Sequence, residues 1–346
     1  MAETRFNAGL EVTRWRKELF TQAKNDTYFS RFFGGSDSAI QVLTDLKGAK
    51  GHKVRFGLKM KIEGLGITGD NTLAGNEVAL DTYYQEVTLD QLRQGVLSTG
   101  KMADKKTLIN FRKEALDSLK IWFAETMEKD MIDVLTGATS TINGSEGGNT
   151  STYAFGNNTH TLWNDNGTIL TTTPAGSMVA TGVQDKITPA LISAAKAYAL
   201  LKSPKFRPVR VDGKDYFLMI IHPESAHHLK QDTTWLSAQQ YAMPRGPENP
   251  LFSGALGMWD GVVIHEHDQI HTSSVNSVHA NLNLFLGAQA GCVAFGGDHD
   301  WHEETVDRGN KLSVSAAIIY EMARCNFNSS DFSTMVLPCN ATKLYA

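Results

Sequence analysis

The sequence predicts a mixed α+β chain, and three observations carry that prediction. Residues 53–63, KVRFGLKMKIE, alternate apolar and basic positions with the period of two that marks a strand. Residues 104–136 repeat apolar side chains at helical spacing, with charges on the other positions. From residue 185 onward, apolar runs of strand length alternate with segments of helical pattern, the signature of a mixed α/β domain.

Bulk composition bounds the function before any motif is read. A chain of 346 residues with 41% hydrophobic and 20% charged residues lies in the range of soluble globular proteins. It is long enough to bury a sizeable core, and its length corresponds to about two domains. The formal net charge of -4 gives no global electrostatic case for binding nucleic acid or a membrane surface. No apolar run reaches membrane-spanning length, and the first residues, MAETRFNAGLEVTRWRKELF, lack the apolar region of a signal peptide. Cys292, Cys325 and Cys339 make no disulfide framework, which fits folding in a reducing cytoplasm.

Each segment has its own character. Residues 10–20, LEVTRWRKELF, have the pattern of a short helix burying Leu10, Trp15 and Leu19 or Phe20. Phe29, Phe32 and Phe33 follow, before a break at Gly34-Gly35. Residues 1–61 hold 12 Lys and Arg against 6 Asp and Glu, an excess that suits either an acidic partner or a solvated or neighbour-facing arm. In the strand at 53–63, Val54, Phe56, Leu58, Met60 and Ile62 form one face, and Lys53, Arg55, Lys59 and Lys61 the other. A glycine-rich stretch with Gly64, Gly66, Gly69 and Gly75 leads to a second strand at 80–90, LDTYYQEVTLD. The pair reads as a long hairpin with a wide tip. An isolated two-stranded ribbon is marginal in water, so its apolar face needs cover from this chain or another copy; no segment of the sequence obviously supplies it.

Residues 104–136 predict one long helix, with Asp104 as N-cap and Gly137 as the residue just past its end. At 1.5 Å per residue it would run roughly 50 Å. Residues 139–182 then change composition: 28 of the 44 are Ser, Thr, Asn or Gly, and no Lys or Arg lies between Lys129 and Lys186. This segment fits a flexible insertion or an excursion of short strands, with Tyr153, Phe155, Leu162 and Trp163 as anchors. Residues 185–202 read as a helix capped by Thr188 with Pro189 in its first turn. A buried strand at 216–221, YFLMII, precedes a helix at HPESAHHLKQ. Residues 244–257 read as a Pro/Gly loop. Residues 261–267 and 282–295 supply further apolar strands or a short helix, and 311–327 suggest a last strand.

Histidines offer the one catalytic alternative. His265 with His267, and His299 with His302, stand beside carboxylates in HEHD and DHDWHEE. Their i, i+2 and i, i+3 spacings differ from the i, i+4 pair of a zinc-protease helix, and His265 and His267 would need a third ligand from elsewhere. Solvated loop histidines fit this spacing better than a metal site. No phosphate-binding loop, nucleophile elbow, CxxC pair or nucleic-acid module occurs. The sequence therefore predicts no enzyme, no cofactor and no metal; a metal-dependent hydrolase resting on the histidines is the alternative of another class.

The order of parts resembles the major capsid protein of tailed bacteriophages, with the Hong Kong 97-type fold, and most closely the coliphage N-four-type coat proteins. RFNAGLEVTRWRKELF (5–20) and YFSRFFG (28–34) resemble that group's arm, and KVRFGLKMKIEGLGITGDNTLAGNE (53–77) its extended loop. WFAETMEKDMIDVLTG at the end of the long helix, LFLGAQAGCVAFGG (284–297), and then Trp301, Glu304, Asp307, Gly309 and Asn310 resemble the following parts. The resemblance implies an arm at 1–51, an extended loop at 52–100 and a spine helix of the peripheral domain at 101–138. It further implies an insertion at 139–184, an axial α/β domain at 185–297 and a return to the peripheral domain at 298–346.

By the same resemblance, copies would form hexamers and pentamers that close into an icosahedral shell around packaged double-stranded DNA. A portal protein, with scaffold or decoration proteins, would be the partners, and no membrane would be involved. Assembly would take place in the bacterial host cytoplasm, and the product would be the virion head. The arm and the extended loop would lie on neighbouring subunits. The residues expected at inter-subunit contacts are then Val54, Phe56, Leu58, Met60 and Ile62 of the hairpin, with Trp15 and Phe32 of the arm. Some members crosslink through a loop lysine; Lys59 and Lys61 lie in the hairpin arm, not at its tip, so that chemistry is not carried over. A non-viral compartment shell of the same fold is a second alternative.

Overall fold

The computed structural model describes residues 27–44, 51–59, 66–75, 77, 82–106, 111–137, 163–165, 168–170, 186–202, 205–211, 213–240, 255–275, 278–297, 300–327 and 330–343. A 3-10 turn at Tyr28–Phe32 leads into strands β1 (Phe33–Gly34) and β2 (Ile40–Leu43). Strands β3 (Lys53–Lys59) and β4 (Thr82–Thr88) form the hairpin, followed by β5 (Asp90–Leu97) and helices α1 (Lys101–Lys106) and α2 (Phe111–Thr136). A small pair, β6 (Trp163–Asp165) and β7 (Thr168–Leu170), comes next, then α3 (Pro189–Leu201), β8 (Val209–Val211), β9 (Lys214–Ile221), α4 (Pro223–Gln231) and α5 (Thr233–Gln240). The remainder is strand: β10 (Ala255–Trp259), β11 (Val262–Glu266), β12 (Thr272–Val275), β13 (Val278–Leu286), β14 (Gly291–Phe295) and β15 (Asp300–Val306). The long β16 (Lys311–Arg324), short β17 (Asn326–Phe327) and β18 (Ser330–Asp331), and β19 (Thr334–Asn340) complete it.

Two sheets organise these elements. A six-stranded sheet runs β1-β2-β14-β16-β15, with β5 also on β16; a seven-stranded sheet runs β10-β11-β9-β13-β12, with β19 on β13 and β8 on β9. Helix α2 touches strands of both. Its inward residues Leu116, Leu119, Phe123, Met127, Met131 and Leu135 recur every three or four positions and are all buried. They share one core with Phe29, with Ile40, Val293 and Ile318 of the six-stranded sheet, and with Leu218, Ile220, Leu282 and Leu284 of the seven-stranded one. The second sheet is covered on its other face as well, where Phe217, Met219, Ile221, Val262 and Ile264 meet Leu191, Ile192 and Ala195 of α3. Double cover explains why 216–221 is an unbroken apolar run: both parities of the strand are inside.

Helix α2 spans 26 residues, about 39 Å. Gly137 has φ +98°, and its N–H bonds the Val134 carbonyl at 3.2 Å, so it does close the helix. Asp104 does not cap it: Asp104 lies inside α1, and 107–110 fall outside the described residues. Thr188 caps α3 as expected, its Oγ1 accepting the Leu191 N–H at 3.3 Å, with Pro189 at the first helical position. We predict that Thr188→Ala lowers stability by about 1 kcal/mol while Thr188→Ser changes little; denaturant titration of both variants checks this, and equal midpoints would refute it.

Several sequence expectations need correction. The strand expected at 80–90 is β4, Thr82–Thr88, but a further strand follows that the sequence pattern did not mark: the chain turns at Leu89 and β5 joins the six-stranded sheet against β16, from Asp90↔Tyr320 to Leu97↔Ser313. Residues 255–257, assigned to a Pro/Gly loop, are the start of β10, which pairs antiparallel with β11 through an Asp260-Gly261 turn at φ +47° and +75°. The boundary at 297/298 cuts across both sheets. Strand β14, before it, belongs with β15 and β16; β19, after it, returns to the other sheet against β13. Part of the supposed arm is internal too, since β2 pairs in parallel with β14. Within 139–184, β6 and β7 are short paired strands and β6 lies beside β19; the rest is outside the described residues, as is the helix expected at 10–20.

Candidate assembly surfaces

The hairpin β3–β4 has the two faces that its alternation predicts, from Lys53↔Thr88 to Lys59↔Thr82. The apolar face is not left for a neighbour. Val54 (7% exposed), Phe56 (1%) and Val87 (3%) pack on Cys292, Ala294, Cys325 and Phe332. The reason lies in β14: Val293 points into the main core while Cys292 and Ala294 point the other way, and the base of the hairpin covers that second face. Gln85 reinforces the contact by accepting the Asn326 N–H at 2.8 Å. Val54 and Phe56 are therefore core residues of the subunit, contrary to the sequence expectation. Phe32 is as well: it is 3% exposed and meets the His265 ring edge-on at 5.2 Å. Leu58 lies on β3 with its side chain outside the described residues, as do Met60, Ile62 and Trp15 altogether.

The outward face and the tip are what the subunit leaves open. On the outward face Lys53 and Arg55 both donate to Glu86, the Arg55 bond being 3.1 Å. Those hydrogen bonds hold the Glu86 carboxyl below its ordinary pKa. The Arg55 guanidinium also sits over the Tyr84 ring at 5.1 Å, and Tyr84 is 62% exposed. At the tip, Asn71 Nδ2 donates to the Thr68 carbonyl at 2.8 Å and the Gly75 N–H to Glu77 at 2.7 Å, while Leu73 stays exposed. Gly66, Gly69 and Gly75 all have positive φ there, the conformation that glycine adopts without strain. Tyr84 stands across from Gly57, on the face that alternation gives to Lys53 and Arg55. Leu97, Met102 and Val306 are further exposed apolar side chains near the junction of β5, α1 and β15. The outer face of β5, β16 and β15 holds an open groove of about 340 Å³ lined by Gln91, Arg93, Asp300, His302 and Ser315.

Several histidines take structural positions, and the expectation of solvated loops fails for His265 and His267. His265 is fully buried. His267 is buried too, with Nε2 bonded to Glu128 of α2 and Nδ1 accepting the Gln269 N–H at 3.2 Å. His271 bonds Asp133, so two histidines after β11 clasp the long helix. His279 bonds Glu224 at 2.8 Å. Burial opposes ionisation of Glu224, but the bonds from His279 and Asn281 and the nearby imidazoles bring its pKa below the ordinary value. His302 is exposed on β15, and His299 is outside the described residues. Among the described residues, no cluster of His, Cys, Asp and Glu has the arrangement to hold a metal ion. No helix among them is long and apolar enough to cross a membrane.

Comparison with known proteins bears on this architecture directly. The model of the phage capsid protein family matches residues 3–339. The major capsid protein of Pseudomonas phage KPP25 is 30% identical over 343 residues, covering 92% of this chain and 90% of the relative. Among solved structures, the capsid of Ralstonia phage GP4 superposes with a TM-score of 0.77 at 28% identity, covering 92% of each chain. The capsid of cyanophage Pam1 gives a TM-score of 0.71 at 22% identity over 99% of this chain and 95% of its own, a likeness of fold. Matched by that family model over nearly its whole length, the chain belongs to the phage capsid protein family and has the Hong Kong 97-type fold, a structural coat protein rather than an enzyme.

Proposed function

We propose that this chain is the major coat subunit of a tailed double-stranded DNA phage, closing with copies of itself as hexamers and pentamers into the icosahedral head. The family match across nearly the whole chain carries the reading. The open surfaces support it: among the described residues, the hairpin exposes a charged, aromatic face with Tyr84 and a glycine-rich tip bearing Leu73. On this reading Tyr84, Leu73 and the undescribed Met60, Ile62 and Trp15 make contacts between subunits. Many modest contacts repeated around a closed shell make its dissociation cooperative. Portal, scaffold and decoration proteins are the further partners, the packaged DNA lies inside without sequence-specific recognition, and assembly takes place in the host cytoplasm. We also assign 139–184 to a peripheral excursion on the shared fold.

Electron microscopy of the full-length protein expressed in bacteria tests the proposal. Closed shells of uniform diameter are the expected result. Monomers under every condition tried, with scaffold co-expressed, would overturn it. Shells that enclose a cargo enzyme in their native source, with no DNA, would assign the chain to a compartment instead.

A further inference from the structure

Helix α4 carries two imidazoles that each accept a backbone N–H. At its start, His222 Nδ1 accepts the Glu224 N–H at 3.3 Å and caps the helix. Near its end, His228 Nε2 accepts the Thr342 N–H at 3.2 Å. The second bond closes a long loop, since the two residues are 114 positions apart. It is placed where the chain leaves the seven-stranded sheet. Ala341 is still anchored there, its N–H on the His279 carbonyl at 3.0 Å and its side chain buried, whereas Thr342 and Lys343 are exposed. His228 itself is only 8% exposed.

We propose that His228 is an acid-released latch for the C-terminal end of the chain. A ring nitrogen accepts a hydrogen bond only while it carries no proton. Protonation of Nε2 turns the acceptor into a donor, sets two N–H groups against each other, and releases the backbone at Thr342. Every charged or titratable group that faces the ring has a definite effect. Burial disfavours the imidazolium first; Lys186 and the neighbouring His227 oppose it next; Glu224, one turn earlier, and a hydrogen bond with Gln231 favour it. The balance holds the His228 pKa below the ordinary 6.5. His222 is lowered as well, by burial foremost and by His279, against Glu224, Asp268 and Glu266.

The sign follows from linkage. A histidine whose pKa is lower in the folded state favours folding above its unfolded value, and that contribution is lost as pH falls below about 6.5. The latch is therefore closed at neutral pH and opens in mild acid.

Hydrogen exchange of the full chain, read by mass spectrometry at about pH 7.5 and about pH 5.5 with labelling times scaled to the intrinsic rate, tests the latch. The expected result is a loss of protection at Thr342 in acid, while β19 peptides stay protected. His228→Gln keeps an acceptor oxygen that does not titrate, so its tail should stay protected at both pH values; His228→Ala should leave it open at both. Equal wild-type protection at the two pH values would sink the idea. So would β19 peptides opening together with the tail, which would mean general acid unfolding, or an unchanged acid effect in His228→Gln. If His228→Gln does not fold, the wild-type contrast between tail and β19 still decides.

Discussion

Phe56→Asp should leave no folded subunit. Phe56 is 1% exposed and packs between β14 and the segment after β16, in contact with Cys292, Ala294, Cys325 and Phe332. Removing a buried phenylalanine ring alone costs about 3–5 kcal/mol. An unpaired carboxylate in that pocket adds a desolvation penalty of several kcal/mol, or a forced protonation. Together they approach the whole stability of an ordinary domain, about 5–15 kcal/mol. Tyr84→Asp, on the opposite face of the same hairpin, should cost under about 1 kcal/mol, the worth of an exposed cation–π contact. Thermal melting of the dilute subunit separates the two, and sedimentation at high concentration then reports assembly for the variant that folds. A Phe56→Asp subunit melting like the wild type would show that the hairpin base is not part of the subunit core. Normal shells from Tyr84→Asp would remove its outward face from the contacts proposed above.

Tyr320→Phe should destabilise the subunit by about 1.5–3 kcal/mol, the range for a hydrogen bond to a charged group. Tyr320 and Asp130 are both fully buried, and the phenol donates to the Asp130 carboxylate at 2.7 Å across the junction of α2 and β16. Burial, and then the carboxylate beside it, raise the Tyr320 pKa well above its usual value, so the phenol keeps its proton and remains a donor. Asp130→Asn still offers an acceptor and should cost less. A double-mutant cycle with both changes should show a coupling of at least about 1 kcal/mol, and additivity within about 0.3 kcal/mol would mean that the bond does not tie the helix to the sheet.

These two sites show why part of the structure was legible in the sequence. Wherever one periodicity reports one environment, the residues announce their element. The 3–4 spacing from Leu116 to Leu135 is such a case, as are Thr188-Pro189 before α3 and the apolar run YFLMII. The Asp260-Gly261 turn was missed, although Asp-Gly between apolar segments marks a tight hairpin. Strand β5 was harder to read: DQLRQGVL is mostly polar and exposed, and its pairing with β16 comes from backbone hydrogen bonds that leave no hydrophobic pattern. The histidines misled for a related reason. Spacing along the chain showed that they make a poor metal site, but their carboxylate partners Glu128 and Asp133 lie on a helix more than a hundred residues earlier.

The sequence by itself determined the identity and order of the main elements, the two-faced hairpin and the membership of a coat-protein family. Only the tertiary structure decided what covers each face. Alternation states that Val54 and Phe56 avoid water, but it does not say whether this chain or another copy hides them. That depends on β14, whose two faces are both buried and whose second face, Cys292 and Ala294, lies bare until the hairpin base packs on it. Burial is a property of surfaces brought together from distant parts of the chain. The split of the chain between two sheets has the same origin: β14 pairs with β2 and β16, and β19 with β13, partners that are neighbours in space rather than along the chain.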